Sequence, residues 1–493
     1  MTFHLPSGLP QDAARELMRA CVIGGPDFMP YPTQARLDSD RLLLGRNVEE
    51  SGALSAPWRV DGAGLVLGSS ATLIERPAPY QIEVELARGK VNQLRCQLAE
   101  WLAGGLQVPS ALHDLVREAT RAFSRAVVQQ PSEQAGISAQ QALVLAYRAA
   151  EQMVQLYVEQ VFEVRHQRQP QLDAALGCRL RRPPAAEAMA AAAERACNVV
   201  WLPLAWSEIE PVESDYHWTN FDAVLDWARA RDRTAAAGPL IDFSRAALPD
   251  WLWLWERDLH SLASFMCDYV ETVVRHFKGQ IRTWQLTAAG NYSNLLGLGE
   301  DEMMWLTVRL VEAARQVDPA LELSVGISQP WGEYMAREDR SHSPFVFADT
   351  LIRSGINLAA LDLEIVMGVA PRGSYCHDLL EASRLLDMYA LLGVPLRLTL
   401  GYPSQDGPDR WADPEMTVAG GFWHGAVSPA AQADWAVAFG TLALCKPTVQ
   451  GIVWAHFNDA DPHQLPHCGL LDAAGQPKPA LERLAELRKQ HLR

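Results

Sequence analysis

Carboxylates set in apolar runs are the side chains of this 493-residue sequence best able to do chemistry. Leu361-Asp362-Leu363-Glu364-Ile365-Val366 carries two of them, and Asp242 follows the run Gly238 to Ile241. In a strand, Asp362 and Glu364 share one face, opposite Leu361 and Leu363. A buried acid needs a partner. One expectation is therefore a hydrogen-bonded ion pair, with Arg397 as the cation. The chemical alternative makes Glu364 and Asp242 a working acid pair, the candidate catalytic residues. Both readings stay open at this stage. His463 and His467 flank Pro466 near Asp461, but no further strong ligand lies nearby to close a site. Solvated loop histidines and no metal are expected. The eight cysteines are scattered without short paired spacing, which argues against a zinc ribbon or disulfide framework and fits a reducing compartment. Gly104-Gly105 and Gly420-Gly421 lack the Lys or the strand–helix setting of a phosphate loop, so no cofactor is expected.

Aromatic rings are the second resource. Fourteen of the sixteen tryptophans lie beyond residue 200. Indole faces supply rigid stacking area of the kind that handles sugar rings, although core packing must account for many. Trp251, Trp253 and Trp255 stand too close together for all three to be buried.

The elements that must position these groups change in character along the chain. Arg41 to Leu44, Trp58 to Val60, Leu65 to Leu67, Ala71 to Ile74 and Tyr80 to Val84 read as short strands punctuated by glycines, a β-rich N-terminal module over residues 1–85. A helical region, 86–180, follows. Val91, Leu94, Leu98 and Trp101 form one apolar stripe. Leu143, Tyr147, Ala150, Val154, Val158 and Val161 form another, on a helix from about Ala139 to His166. This region packs against the rest of the chain or against a second subunit. Gln167 to Pro184 reads as a boundary.

From residue 186 to 493, strands alternate with amphipathic helices. Val199 to Leu204, Gly238 to Ile241, Thr283 to Thr287, Leu321 to Ile327, Leu361 to Met367, Leu396 to Leu400 and Gly451 to Trp454 are seven strands. An unplaced eighth, before Val199, would complete a (β/α)8 TIM barrel, an α/β fold. Such barrels carry functional groups at the C-terminal strand ends. The candidate substrate-binding residues there are Trp206, Trp284, Gln285, Asn291, Tyr292, Trp331, Glu333, Tyr402, Trp454, His456 and Asp459. For His456 and Asp459 a satisfied rim histidine and a loop anchor are the structural alternatives.

Several segments of this region, in order, resemble family 10 glycoside hydrolases, the xylanase family. Trp206-Ser207-Glu208-Ile209-Glu210-Pro211 with Phe221-Asp222 is similar to the family's second-strand segment. Leu248-Pro249-Asp250-Trp251 is similar to its L-P-x-W, and Phe277-Lys278-Gly279-Gln280-Ile281 with Trp284 to its approach to strand four. Asp318-Pro319, Gly451 to Trp454, Gly469 to Asp472 and Pro477 to Ala480 continue the likeness. The resemblance implies a barrel that handles polysaccharide, but the family's working acids do not carry over. Aligned with W-D-V-V-N-E, Trp284 to Ala289 puts Ala289 in the acid/base position. Aligned with I-T-E, Leu398-Thr399-Leu400 puts Leu400 in the nucleophile position. Retaining hydrolysis needs two carboxyl groups about 5–5.5 Å apart, and neither Ala nor Leu supplies one.

A net charge of -16 argues against a nucleic-acid partner. No apolar run reaches the roughly 18–20 residues of a membrane span. Met1 to Gly25 carries charges where a signal peptide needs an apolar stretch, so a cytoplasmic location is expected. The resulting expectation is a carbohydrate-active barrel that recognises a poly- or oligosaccharide, either cleaving it with relocated carboxylates or only binding it. The alternative is a non-enzymatic scaffold that forms a homo-oligomer through the helical region.

Overall fold

The computed structural model describes residues 1–493. Its centre is a closed barrel of eight parallel strands. In chain order these are Ala175–Arg179, Val199–Leu202, Thr234–Ala237 (resuming as Ile241–Asp242), Thr283–Ala288, Glu322–Ile327, Ala360–Val366, Leu396–Gly401 and Val449–Trp454. The first strand pairs in parallel with both the second and the eighth, and the third pairs with the fourth, so the sheet has no free edge. This is the (β/α)8 TIM barrel expected from the alternation of strands and helices. Between the strands run its helices, among them Thr219–Ala230, Leu259–His276, Glu300–Val317 and Leu379–Ala390.

The unplaced strand lies inside the stretch read as a boundary, so the barrel begins before residue 186. Ala175-Leu176-Gly177-Cys178-Arg179 is too short and too mixed to stand out from a polar neighbourhood. The third strand also departs from expectation. Its ladder forms over Thr234–Ala237 and breaks at Gly238, whose φ of +115° leaves the extended region.

The N-terminal module consists of two sheets. Leu65 to Leu67 and Ala71 to Ile74, expected as separate strands, belong to one strand, Gly64–Leu73, antiparallel to Gly52–Val60. Tyr80 to Val84 is mostly helix: the strand is only Tyr80–Gln81, and the helix Ile82–Ala103 follows at once. This module is joined to the barrel's C-terminal face. Phe422–Trp423, from the loop after strand seven, pairs with Gly64 and Leu65 and adds a strand to the module's sheet. Met29 packs with Tyr334 and Met335 of the loop after strand five.

Three helices, Ile82–Ala103, Ser110–Val128 and Glu133–Arg168, form the helical region. The last starts before Ala139 because Ser132 caps it, its hydroxyl accepting from the Ala135 amide. Leu143, Tyr147, Ala150 and Val154 are buried, and the helix packs on the barrel helices Leu379–Ala390 and Pro429–Cys445. The stripe is covered within the chain from Leu143 to Val154, and Val158 and Val161 are half-buried. No helix is long and apolar enough to cross a membrane.

Candidate functional site

Inside the barrel, inward-facing side chains from facing strands form three polar layers. Asp362 stands beside Arg397 in register, and the two carry a 3.3 Å ion pair. Ser324 donates to the other Asp362 oxygen, and the Arg397 guanidinium lies over the Trp201 ring. Burial pushes the Asp362 carboxyl up, and Arg397 and Ser324 offset this only in part. Above them Arg179 donates to Gln285 and Thr399. At the mouth, Arg372 from the loop after strand six donates to both oxygens of Asp242, at 2.9 and 3.0 Å, and to Glu364 at 3.0 Å. Ser328 donates to the second Glu364 oxygen, and Gln464 donates to Asp242.

The two candidate acids therefore meet at one guanidinium. Arg372, Asp242 and Glu364 are 5%, 7% and 6% exposed. Burial alone would raise the Asp242 carboxyl, but Arg372 and the donors around it outweigh burial and hold it below the ordinary carboxylate value. Burial would likewise lower Arg372, yet the two carboxylates raise it well above its ordinary value. The ion pair anticipated for Asp362 with Arg397 is present, and Glu364 has Arg372 as its cation instead. Arg372 carried no signal in the sequence. It lies in the loop segment Pro371-Arg372-Gly373, and only the return of that loop over the barrel axis gives it a role.

Strand four ends at Ala288, followed by Ala289, and strand seven ends in Leu400-Gly401, so neither tip presents a carboxylate. Ala289 and Leu400 are both buried.

The aromatic candidates divide sharply. Trp206, Trp284, Tyr402 and Trp454 are at most 2% exposed and have no ring face free for a sugar. Their polar atoms are bonded within the chain: Trp206 to Glu210, Trp284 to the Ile281 carbonyl and Trp454 to the Cys468 carbonyl, while the Tyr402 hydroxyl accepts from the Trp423 amide. Their place in the core corrects the expectation of substrate contact. Gln285 and Asn291 are also buried; Gln285 serves Arg179, and Asn291 exchanges two bonds with the Ser328 backbone. Trp251 and Trp253 are half-buried and Trp255 is exposed, as their crowding required.

Tyr292, Trp331 and Glu333 come together elsewhere. They line a cavity of about 1130 Å³ between the N-terminal module, the helix Ile82–Ala103 and the loops after strands four, five and six. His377 stacks on the Trp331 ring at 4.1 Å and bonds through Nε2 to Glu333 at 3.0 Å. Glu333 also accepts from the Tyr375 amide. His377 and Tyr375 were not among the expected site residues, because the loop bearing them shows no periodicity or motif.

His456 and Asp459 belong to a third group, on the loops after strands seven and eight. His456 bonds to Asp459 at 2.8 Å and stacks on His463, while Asp409 accepts from His463 at 3.1 Å and from the His467 amide. The sets His456, Asp459, His463 and Asp409, Asp459, His467 each bring their ligand atoms within 4.8 Å. Asp461 offers His463 its backbone carbonyl and not its carboxylate. The Lys478 ammonium, 2.5 Å from Asp459, already neutralises that acid. Burial lowers the His456 imidazole to about 4. Burial would raise Asp459, but His456 and Lys478 hold it well below the carboxylate range. The cluster ties two loops together through charge-assisted hydrogen bonds.

The family model for glycosyl hydrolase family 10 matches residues 185–288, from ahead of strand two to the end of strand four. Among curated proteins, endo-beta-1,4-xylanase Xyn10C of Cellvibrio japonicus is 26% identical over 82 residues, 16% of this chain and 14% of that protein's length. Among solved structures, xylanase 10B of Thermotoga maritima is 17% identical with a TM-score of 0.48, covering 64% of this chain and 95% of that one. The Cellvibrio japonicus xylanase 10C variant, solved with xylopentaose, is 16% identical with a TM-score of 0.47, covering 64% and 67%. The strand pairing and the matched segment together make this a TIM barrel like that of glycosyl hydrolase family 10.

Proposed function

We propose that this protein recognises a poly- or oligosaccharide through its barrel and does not cleave it at the barrel axis. The observation that carries this reading is Arg372 binding Asp242 and Glu364 at once. Retaining hydrolysis needs one carboxylate free to attack and a second that holds a proton for the leaving oxygen. Asp242 is kept ionised by the guanidinium, so it is a poor acid at neutral pH. Glu364 accepts from Arg372 on one oxygen and from Ser328 on the other and is 6% exposed, so it is tied into the barrel wall and poorly placed to reach an anomeric carbon. Taking Arg372 away to free the acids would leave two buried charges uncompensated.

Recognition is supported by what the barrel rim retains. The half-buried rings of Tyr292 and Trp331 stand on loops of the C-terminal face, where this fold carries its sites. Full-length protein incubated with a broad panel of polysaccharides and oligosaccharides is expected to release no new reducing ends, while at least one of them produces a saturable change in tryptophan fluorescence. Release of reducing ends that is abolished by both Glu364→Gln and Asp242→Asn would overturn the reading, as would the absence of any binding across the panel.

A further inference from the structure

We infer that the cavity between the N-terminal module and the loops after strands five and six is a binding site for a short, uncharged oligosaccharide, an inference that rests on the glycan-recognition reading above.

The cavity has two walls of different origin. On the barrel side the Trp331 ring is fixed before any ligand arrives: His377 covers one face, and Glu333 holds His377. A ring immobilised in this way stacks on a sugar without losing rotamer freedom. On the other side the helix Ile82–Ala103 presents Asn92, Gln93 and Cys96. That wall is anchored to the barrel, since Lys90 pairs with Asp378 at 2.7 Å and Gln93 donates to Glu381. At about 1130 Å³ the space lies just above the roughly 300–1,000 Å³ range of small-molecule sites, which suits several linked rings better than one. Leu67 and Ser69 to Thr72 of the module's sheet wall this side of the cavity, and a space of this volume holds a short chain.

Charge decides the class. The lining holds six carboxylates and four Lys or Arg side chains. Three of those four cations are already paired: Lys90 with Asp378, Arg384 with Glu381 and Arg19 with Glu16. The acids are paired as well, Asp378 and Glu381 with those cations, Glu338 with Arg340 and Glu333 with His377, which leaves Asp27 and Glu100 against Arg337. The small excess of acid disfavours a uronate. Hydroxyl groups find donors and acceptors here at no such cost.

The chain offers its own reporter. Cys96 is exposed on the cavity wall, whereas Cys267 is partly buried on the barrel helix Leu259–His276, outside the cavity lining. Wild-type protein is titrated with xylotetraose, cellotetraose, maltotetraose and chitotetraose, and with tetragalacturonate as the acidic counterpart. Tryptophan fluorescence reports binding, and the alkylation rate of Cys96 relative to Cys267 reports its place. The expected result is that at least one neutral tetrasaccharide binds, slows Cys96 alkylation severalfold without affecting Cys267, and binds about tenfold more weakly to Trp331→Ala. Binding that leaves both Cys96 and the Trp331→Ala affinity unaffected overturns this site while leaving glycan recognition standing. Tighter binding of tetragalacturonate overturns the ligand class. Failure of every tetrasaccharide to bind overturns the site and, where the wider panel also fails, the recognition reading with it.

Discussion

Arg372 is the residue on which the chemistry of the barrel turns. A guanidinium presents donors in a planar fork, so one side chain can serve two carboxylates at once. The contact with Asp242 sets a definite pH dependence. Asp242 is held below its ordinary 3.8 in the folded chain, so the stability from this contact is present above that value and is lost as pH falls through the folded-state value. Arg372→Met leaves Asp242 and Glu364 buried without their cation, at a cost of about 3–5 kcal/mol at pH 7. Without the guanidinium, burial raises the Asp242 carboxyl, and its protonation relieves part of that cost, so the gap to wild type in urea unfolding should shrink as pH falls from 7 to 3.5. An equal gap at pH 3.5 and pH 7 would mean that the loss comes from packing and not from charge. Asp362 and Glu364 were visible in the sequence as acids out of place, and so was Arg397 as a cation for them. Arg372, the partner of Glu364, was not, because an ion pair between strand six and a loop is a fact of three dimensions.

At the scale of elements, the helix Glu133–Arg168 shows how an amphipathic pattern reports burial without reporting the partner. The stripe from Leu143 to Val161 was equally compatible with a second subunit, and the structure covers its Leu143 to Val154 part with the barrel helices Leu379–Ala390 and Pro429–Cys445. Arg165 strengthens that seam by donating to the Leu444 and Cys445 carbonyls. Val154→Asp places a charge in this seam and should cost about 3 kcal/mol or more, seen as a lower melting temperature. The folded fraction should keep its mass in size-exclusion chromatography with light scattering. An unchanged melting temperature with an altered mass would assign the stripe to an intermolecular contact.

For the whole molecule, the question is how the β module is held to the barrel mouth, since module residues such as Cys21, Ser55 and Leu67 complete the cavity lining. Gly64 sits at the join. Its φ is +107°, and a Cβ there would lie 2.1 Å from the Phe422 carbonyl oxygen. Gly64→Ala should therefore break the pairing with Phe422–Trp423 while leaving the closed barrel intact. Hydrogen exchange is expected to quicken at the Leu65 and His424 amides and to stay slow across Leu396–Gly401. Uniform loss of protection would show that module and barrel unfold as one unit.

The periodicity of apolar residues was enough to determine the barrel, because a closed parallel sheet demands alternating buried strands and one-faced helices at regular spacing, and that demand is written locally. The same local record showed that strands four and seven end without an acid. The first strand escaped because five mixed residues carry too little pattern, and it is specified by its neighbours on both sides. Which tryptophans face a ligand was decided only by the tertiary structure. A core indole and a binding indole have the same residue type and spacing, and they differ solely in what lies across from them. The seal over the barrel axis and the cavity beneath the module belong to the same class of fact: each is made by loops whose meeting depends on the folded path of the chain.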